Sequence, residues 1–103
     1  MSYIQIIETV TFRTRKGVSD DQFQAAIEGL ESYFSTCDGY RGRVVYKTAE
    51  GLWMDQLSWA DEAAVAAADA GFRSHPAAAA YMSFVERDSV TMHKTPALFA
   101  KVA

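Results

Sequence analysis

Two carboxylates stand where the surrounding pattern calls for apolar side chains. Glu8 interrupts the alternating set Ile4, Ile6, Val10 and Phe12, and Asp55 does the same among Trp53, Leu57 and Trp59. An ionised carboxylate removed from water is costly unless it is paired, hydrogen-bonded or protonated. With an imidazole nearby, His93, such groups would shift one another's pKa values and exchange protons with a bound molecule. In this reading Glu8 and His93 move protons and Asp55 orients one of them. Trp53, Trp59, Phe23 and Tyr81 then wall a pocket for a compact, aromatic ligand. The competing reading makes the carboxylates a structural polar cluster and the tryptophans ordinary core.

Other chemistries find less support. His75 precedes Pro76 at a helix start, where capping suits it better than catalysis. No two of His75, His93, Glu8 and Asp55 lie at metal-ligand spacing, so no metal is expected. The single cysteine, Cys37, excludes an internal disulfide and sits near a helix C-terminus, whose dipole disfavours the thiolate. Arg41 and Arg43 alternate along a strand and are expected to point into solvent, where one could meet an anionic substrate. There is no phosphate-cradling glycine loop and no nucleophile elbow. Net charge is −3, and the only tight basic group is Arg13, Arg15 and Lys16, too little to track a phosphate backbone. No apolar run reaches the ~18 residues that cross a bilayer, and Met1-Ser2-Tyr3-Ile4 lacks the basic start of a secretory signal. A cytoplasmic protein is expected, with no nucleic-acid or membrane partner.

These side chains need a frame, and the pattern supplies one domain over residues 1–103. Tyr3 to Arg13 alternates with period two, as a half-buried strand does. Ser19 and Gln22 form a capping box, and Val18 can staple to Phe23. Phe23, Ile27, Leu30 and Phe34 then make one helical stripe, stopped by Gly39. Two strand-like runs, Tyr40 to Thr48 and Leu52 to Trp59, flank Ala49-Glu50-Gly51, a hairpin signal. Asp61 caps a helix over Glu62 to Phe72, and Pro76 opens a shorter one through about Arg87. Ser89 to Lys94 closes the chain as a strand. The result is an α+β, βαββαβ order.

Helices can cover one face of such a sheet, yet apolar side chains fall on both. Trp53, Leu57 and Trp59 share one side and Leu52 and Met54 the other, while Tyr40, Val44 and Tyr46 are split from Val45. A face of that kind is an association site, and a second copy across a two-fold axis is its simplest cover.

The chain also resembles a family. Glu8-Thr9-Val10-Thr11-Phe12, Gly17-Val18-Ser19 ahead of an amphipathic helix, Gly39-Tyr40, Gly51-Leu52-Trp53-Met54-Asp55, Trp59-Ala60-Asp61-Glu62-Ala63-Ala64 and Ser74-His75-Pro76 are similar to the antibiotic biosynthesis monooxygenase-like proteins, of the dimeric α+β barrel superfamily. The resemblance implies a ferredoxin-like monomer with a four-stranded antiparallel sheet in the order 4-1-3-2, paired as a homodimer, and a small-ligand pocket between sheet and helices. In that order the first strand lies between the third and fourth, so Glu8 would face Asp55 on one side and His93 on the other. It further implies a cofactor-independent monooxygenase acting on aromatic or polyketide-derived molecules; the alternative is a non-catalytic dimeric binding protein. Members often carry a histidine in the helix after the tryptophan matched by Trp59, where this chain has Ala68. The haem-degrading members and the polyketide oxygenases use an asparagine, and this chain contains none, so haem degradation is not expected.

Overall fold

The structure, a computed structural model, describes residues 5–101. Its elements run β1 (Ile6–Thr14), α1 (Asp20–Gly29), α2 (Glu31–Phe34), β2 (Tyr40–Lys47), β3 (Trp53–Trp59), α3 (Glu62–Phe72), α4 (Pro76–Ser83) and β4 (Val85–Pro96). The strands form one antiparallel sheet in the order β2-β3-β1-β4, the ferredoxin-like arrangement. Strand periodicity decides which side is core. Ile6, Glu8 and Phe12 of β1 and Trp53, Asp55, Leu57 and Trp59 of β3 are buried on the helix side. Phe23, Leu30, Phe34, Val65, Ala68, Ala78 and Tyr81 pack onto them from the helices. Ile4, assigned to the same strand face by its spacing, lies outside the described residues.

The caps form as the sequence leads one to expect. The Ser19 hydroxyl accepts from the Gln22 backbone N–H at 3.1 Å, and the Gln22 side-chain oxygen accepts from the Ser19 N–H at 2.9 Å. Asp61 accepts from the Ala64 N–H at 2.8 Å, and His75 Nδ1 from the Ala77 N–H at 3.1 Å. His75 is thus engaged as a cap.

Three boundaries differ from expectation. The stripe from Phe23 to Phe34 is not one helix: it breaks at Gly29-Leu30 and resumes as the single turn α2. Glycine lowers helix propensity, yet Leu30 and Phe34 stay buried, so the apolar stripe survives the break. The helix opened by Pro76 ends at Ser83 rather than near Arg87, and β4 begins at Val85 and runs twelve residues. Val85 pairs with Thr14 and Glu86 with Arg13, so pairing with β1 overrides the local helical pattern.

The third difference repositions a charge. The register of β2 on β3 shifts between Tyr40 and Gly42, a bulge in which Gly42 adopts φ 145°. One extra residue reverses the alternation beyond it. Tyr40, Arg43 and Val45 therefore lie on the helix side, and Val44 and Tyr46 on the open side, 52% and 46% exposed. Arg43, expected in solvent, is turned inward. A Cβ on Gly42 would meet nothing within 4 Å, so Gly42→Ala is a test of backbone strain alone. It is expected to lose about 1–3 kcal/mol in urea denaturation. A loss within 0.3 kcal/mol, below that order of magnitude, would show that the bulge does not depend on the positive φ.

Candidate functional site

A cavity of about 830 Å³ lies between the helix side of the sheet and the helices. That volume suits a small-molecule ligand. Glu8, Asp55 and Trp59 line it from the sheet, and Ala68, Phe72 and Tyr81 from the helices. The two misfit carboxylates, Glu8 and Asp55, therefore share one space with Trp59 and Tyr81, but their surroundings differ.

Glu8 is 5% exposed, and its carboxylate accepts one hydrogen bond, from the Trp59 indole N–H at 3.0 Å. Burial pushes its pKa up, with Asp69 and Asp55 adding negative charge nearby; the Trp59 bond and Lys94 act the other way. An acid held above its usual range is, once ionised, a stronger base than an ordinary carboxylate, and beside an apolar cavity it is placed to take or return a proton.

Asp55 is 4% exposed but is fully committed to neighbours. Arg43 grips it bidentately, Nε to Oδ1 and Nη2 to Oδ2, both at 2.8 Å, and the Tyr81 hydroxyl donates to Oδ2 at 2.8 Å. Arg43 in turn donates to the Ile27 carbonyl at 2.8 Å and to Glu31 at 3.1 Å, and its guanidinium lies over the Phe34 ring. The Tyr40 hydroxyl donates to the same Glu31 carboxylate at 2.9 Å. Burial and the adjacent Asp55 drive the Tyr81 phenol far above its ordinary pKa, so it stays a donor. Asp55 is placed to hold Arg43 and Tyr81, not to orient Glu8 or His93.

The remaining expected residues separate. β1 pairs Glu8 with Leu57 and with Lys94, while Asp55 is opposite Val10 and His93 opposite Thr9. Directly paired residues share a face, so His93 stands on the open side of the sheet, exposed, and does not meet Glu8. The register places the imidazole outward and Lys94 on the face of Glu8, one residue from the pairing that would bring His93 to Glu8. Lys94 forms an ion pair with Asp69 of α3. Trp53 and Phe23 do not line the cavity. They pack edge-to-face at 5.0 Å within the aromatic core, with Phe12 and Tyr81 around Phe23.

Spacing alone overlooked Arg43, Asp69 and Lys94. Gly42 in mid-strand was the available signal for Arg43, since a strand glycine often marks a bulge. Nothing local marked Asp69 or Lys94. Ala68 lines the cavity and adds only a methyl group there. Among the described residues no group of three or more His, Cys, Asp or Glu is arranged to hold a metal, and no helix is long and apolar enough to cross a membrane.

By sequence, the chain matches no protein-family model and no curated protein. By structure it is similar to several solved proteins. SnoaB, a cofactor-independent oxygenase from Streptomyces nogalater, superposes with a TM-score of 0.68 at 14% identity, covering 96% of each chain. A protein from Chloroflexus aurantiacus assigned to the antibiotic biosynthesis monooxygenases gives 0.66 at 15% identity, covering 95% of this chain and 97% of that one. A dimeric ferredoxin-like protein of unknown function from Jannaschia sp. gives 0.67 at 10% identity, covering 88% and 97%. The antibiotic biosynthesis monooxygenase-like fold read from the sequence is thus found; at these identities the likeness concerns the fold.

Proposed function

We propose that the protein is a small-molecule enzyme in which Glu8 transfers a proton to or from an apolar, aromatic or polyketide-derived ligand. The observation that carries this is a single one: a carboxyl group 5% exposed, with one hydrogen bond and a raised pKa, on the wall of a cavity of about 830 Å³. A purely structural carboxylate would be gripped as Asp55 is. The reaction we favour is cofactor-independent oxygenation, the activity in the name of SnoaB. Ionised Glu8 takes a proton from an activated C–H, and the carbanion's electron pair goes to dioxygen with formation of a C–O bond. Glu8 returns the proton to the peroxide. The O–O bond then breaks as a second C–H proton and hydroxide leave as water and the carbon becomes a carbonyl, so the electron-rich substrate does the work of a cofactor. The Trp59 N–H holds the carboxylate in place, and the apolar walls keep water from the carbanion. Glu8→Gln is expected to abolish oxygen uptake with anthrone or phenolic substrates while the cavity still binds them. Binding without oxygen uptake in the unaltered protein would replace the enzyme by a non-catalytic ligand-binding protein. That second reading gains from His93, which the register puts out of reach as a partner for Glu8.

We further propose a homodimer in the cytoplasm, closed through the open side of the sheet as in a dimeric α+β barrel. Val44 and Tyr46 are half exposed there, and Ile7 and Met54 are only partly covered. Leu57 is core at 3% exposure, so Met54 is the informative position. Light scattering is expected to give twice the 11.4 kDa of one chain, and Met54→Asp to give monomer or aggregate. A single-chain mass for the unaltered protein at micromolar concentration would remove the dimer. The lone thiol, Cys37, is free, in keeping with a reducing compartment.

A further inference from the structure

We infer that the ligand of this cavity carries an anionic group, a carboxylate on an aromatic body, held at the cavity rim by Arg73 and Arg87. This rests on the reading of the cavity as an aromatic-ligand site and adds the ligand's charge and orientation. Five charged side chains line the cavity: Glu8, Asp55, Asp69, Arg73 and Arg87. Asp55 is neutralised by Arg43, and Asp69 by Lys94. Glu8 is bonded to the Trp59 indole at the sheet. Arg73 and Arg87 are left, and neither makes an ion pair with a described residue.

Their positions agree. Arg73 is the C-cap of α3, next to Phe72 on the cavity wall. Arg87 is two residues beyond buried Val85 on β4, and both of those residues line the cavity. Both arginines are exposed, so the charge sits at the mouth while the wall between is apolar, with Met82, Val90, Met92 and Phe34. A ligand with an aromatic end and an anionic end would enter ring first and leave its carboxylate between the guanidiniums. Arginine's planar fork pairs with carboxylate bidentately, and its unspent charge raises the local concentration of anions. The ring is then delivered to the Glu8–Trp59 end, which fits a proton transfer there.

The test compares 2-naphthoate with 2-naphthamide, nearly the same shape without the charge, by calorimetry and tryptophan fluorescence at low salt. Naphthoate is expected to bind at least about tenfold more tightly, with the preference shrinking as salt is added. Arg73→Gln with Arg87→Gln, both at exposed positions, is expected to erase the preference and leave naphthamide binding within about twofold of its original value. Equal binding of the two probes, or a preference that survives in the double variant, overturns the anionic ligand while leaving the aromatic cavity standing. Failure of both probes to bind overturns the cavity reading and the anionic ligand with it.

Discussion

Replacing Arg43 with methionine is expected to destabilise the fold by about 3–5 kcal/mol, more than any other single charge removal in this chain. The side chains of Arg43 and Asp55 are 3% and 5% exposed, so the partner left behind cannot recover its loss from water. Removing Arg43 leaves the Asp55 carboxylate on the sheet with only the Tyr81 hydroxyl, and leaves the Ile27 carbonyl with only the Leu30 N–H. For a domain near 100 residues, 1 kcal/mol is worth about 4–8 °C, so Tm should fall on the order of 20 °C. Arg43→Lys keeps the charge but loses the fork, and should recover only part of the loss. The triple change Arg43→Met, Asp55→Leu, Tyr81→Phe removes the guanidinium, the carboxylate and the phenol hydroxyl bonded to it together, leaving Glu31 half exposed with Tyr40. It should lie much nearer the original protein than Arg43→Met does, because no buried polar group is orphaned. Urea denaturation of the three variants decides the matter. If Arg43→Met costs less than about 1 kcal/mol, the pair is worth no more than an exposed one.

Glu8→Gln is expected to remove a pH dependence of stability and to stabilise the protein at neutral pH. Glu8 has a folded-state pKa above its ordinary 4.5. Below 4.5 the carboxyl is protonated in both states, and its contribution to stability is complete. As pH climbs, the unfolded chain ionises first while the folded chain keeps its proton. Stability is lost through that window, until pH passes the raised folded value and the buried group ionises too. Each unit of elevation costs about 1.4 kcal/mol once the window is crossed. Glutamine cannot ionise, and its carbonyl can still accept from the Trp59 indole, so the variant should show a flat profile over the same range. A pH–stability curve for Glu8→Gln that overlays that of the original protein would mean an ordinary solvated carboxylate.

The two buried carboxylates differ for a physical reason. Asp55 meets a permanent cation that grips both its oxygens and one further donor, the Tyr81 hydroxyl, so its oxygens are engaged at the cost of their availability. Glu8 meets one neutral donor and a nearby lysine already paired to Asp69, so no cation grips its carboxylate. The same chemical group, a carboxylate buried to nearly the same degree on adjacent strands, is thus a brace in one place and a candidate acid–base group in the other.

How much of this was legible depends on the range of the forces concerned. Local rules sufficed for the caps at Ser19, Asp61 and His75, for the hairpin, and for the alternation that marked Glu8 and Asp55 as misfits, because each involves neighbours within a few residues. Together with the family resemblance they led to the βαββαβ order and the sheet order β2-β3-β1-β4. Only the tertiary structure could assign partners. The bulge at Gly42 turned Arg43 from solvent to core, and the pairing of Thr9 with His93 put the imidazole on the far side of the sheet from Glu8. Trp53 and Trp59 are alike in sequence pattern, yet one packs on Phe23 in the core and the other donates to Glu8 in the cavity. Strand register has a period of two and is decided by the summed pairing and packing of whole elements. A shift of one residue costs nothing that a local pattern records, and it sends the side chain to the opposite face.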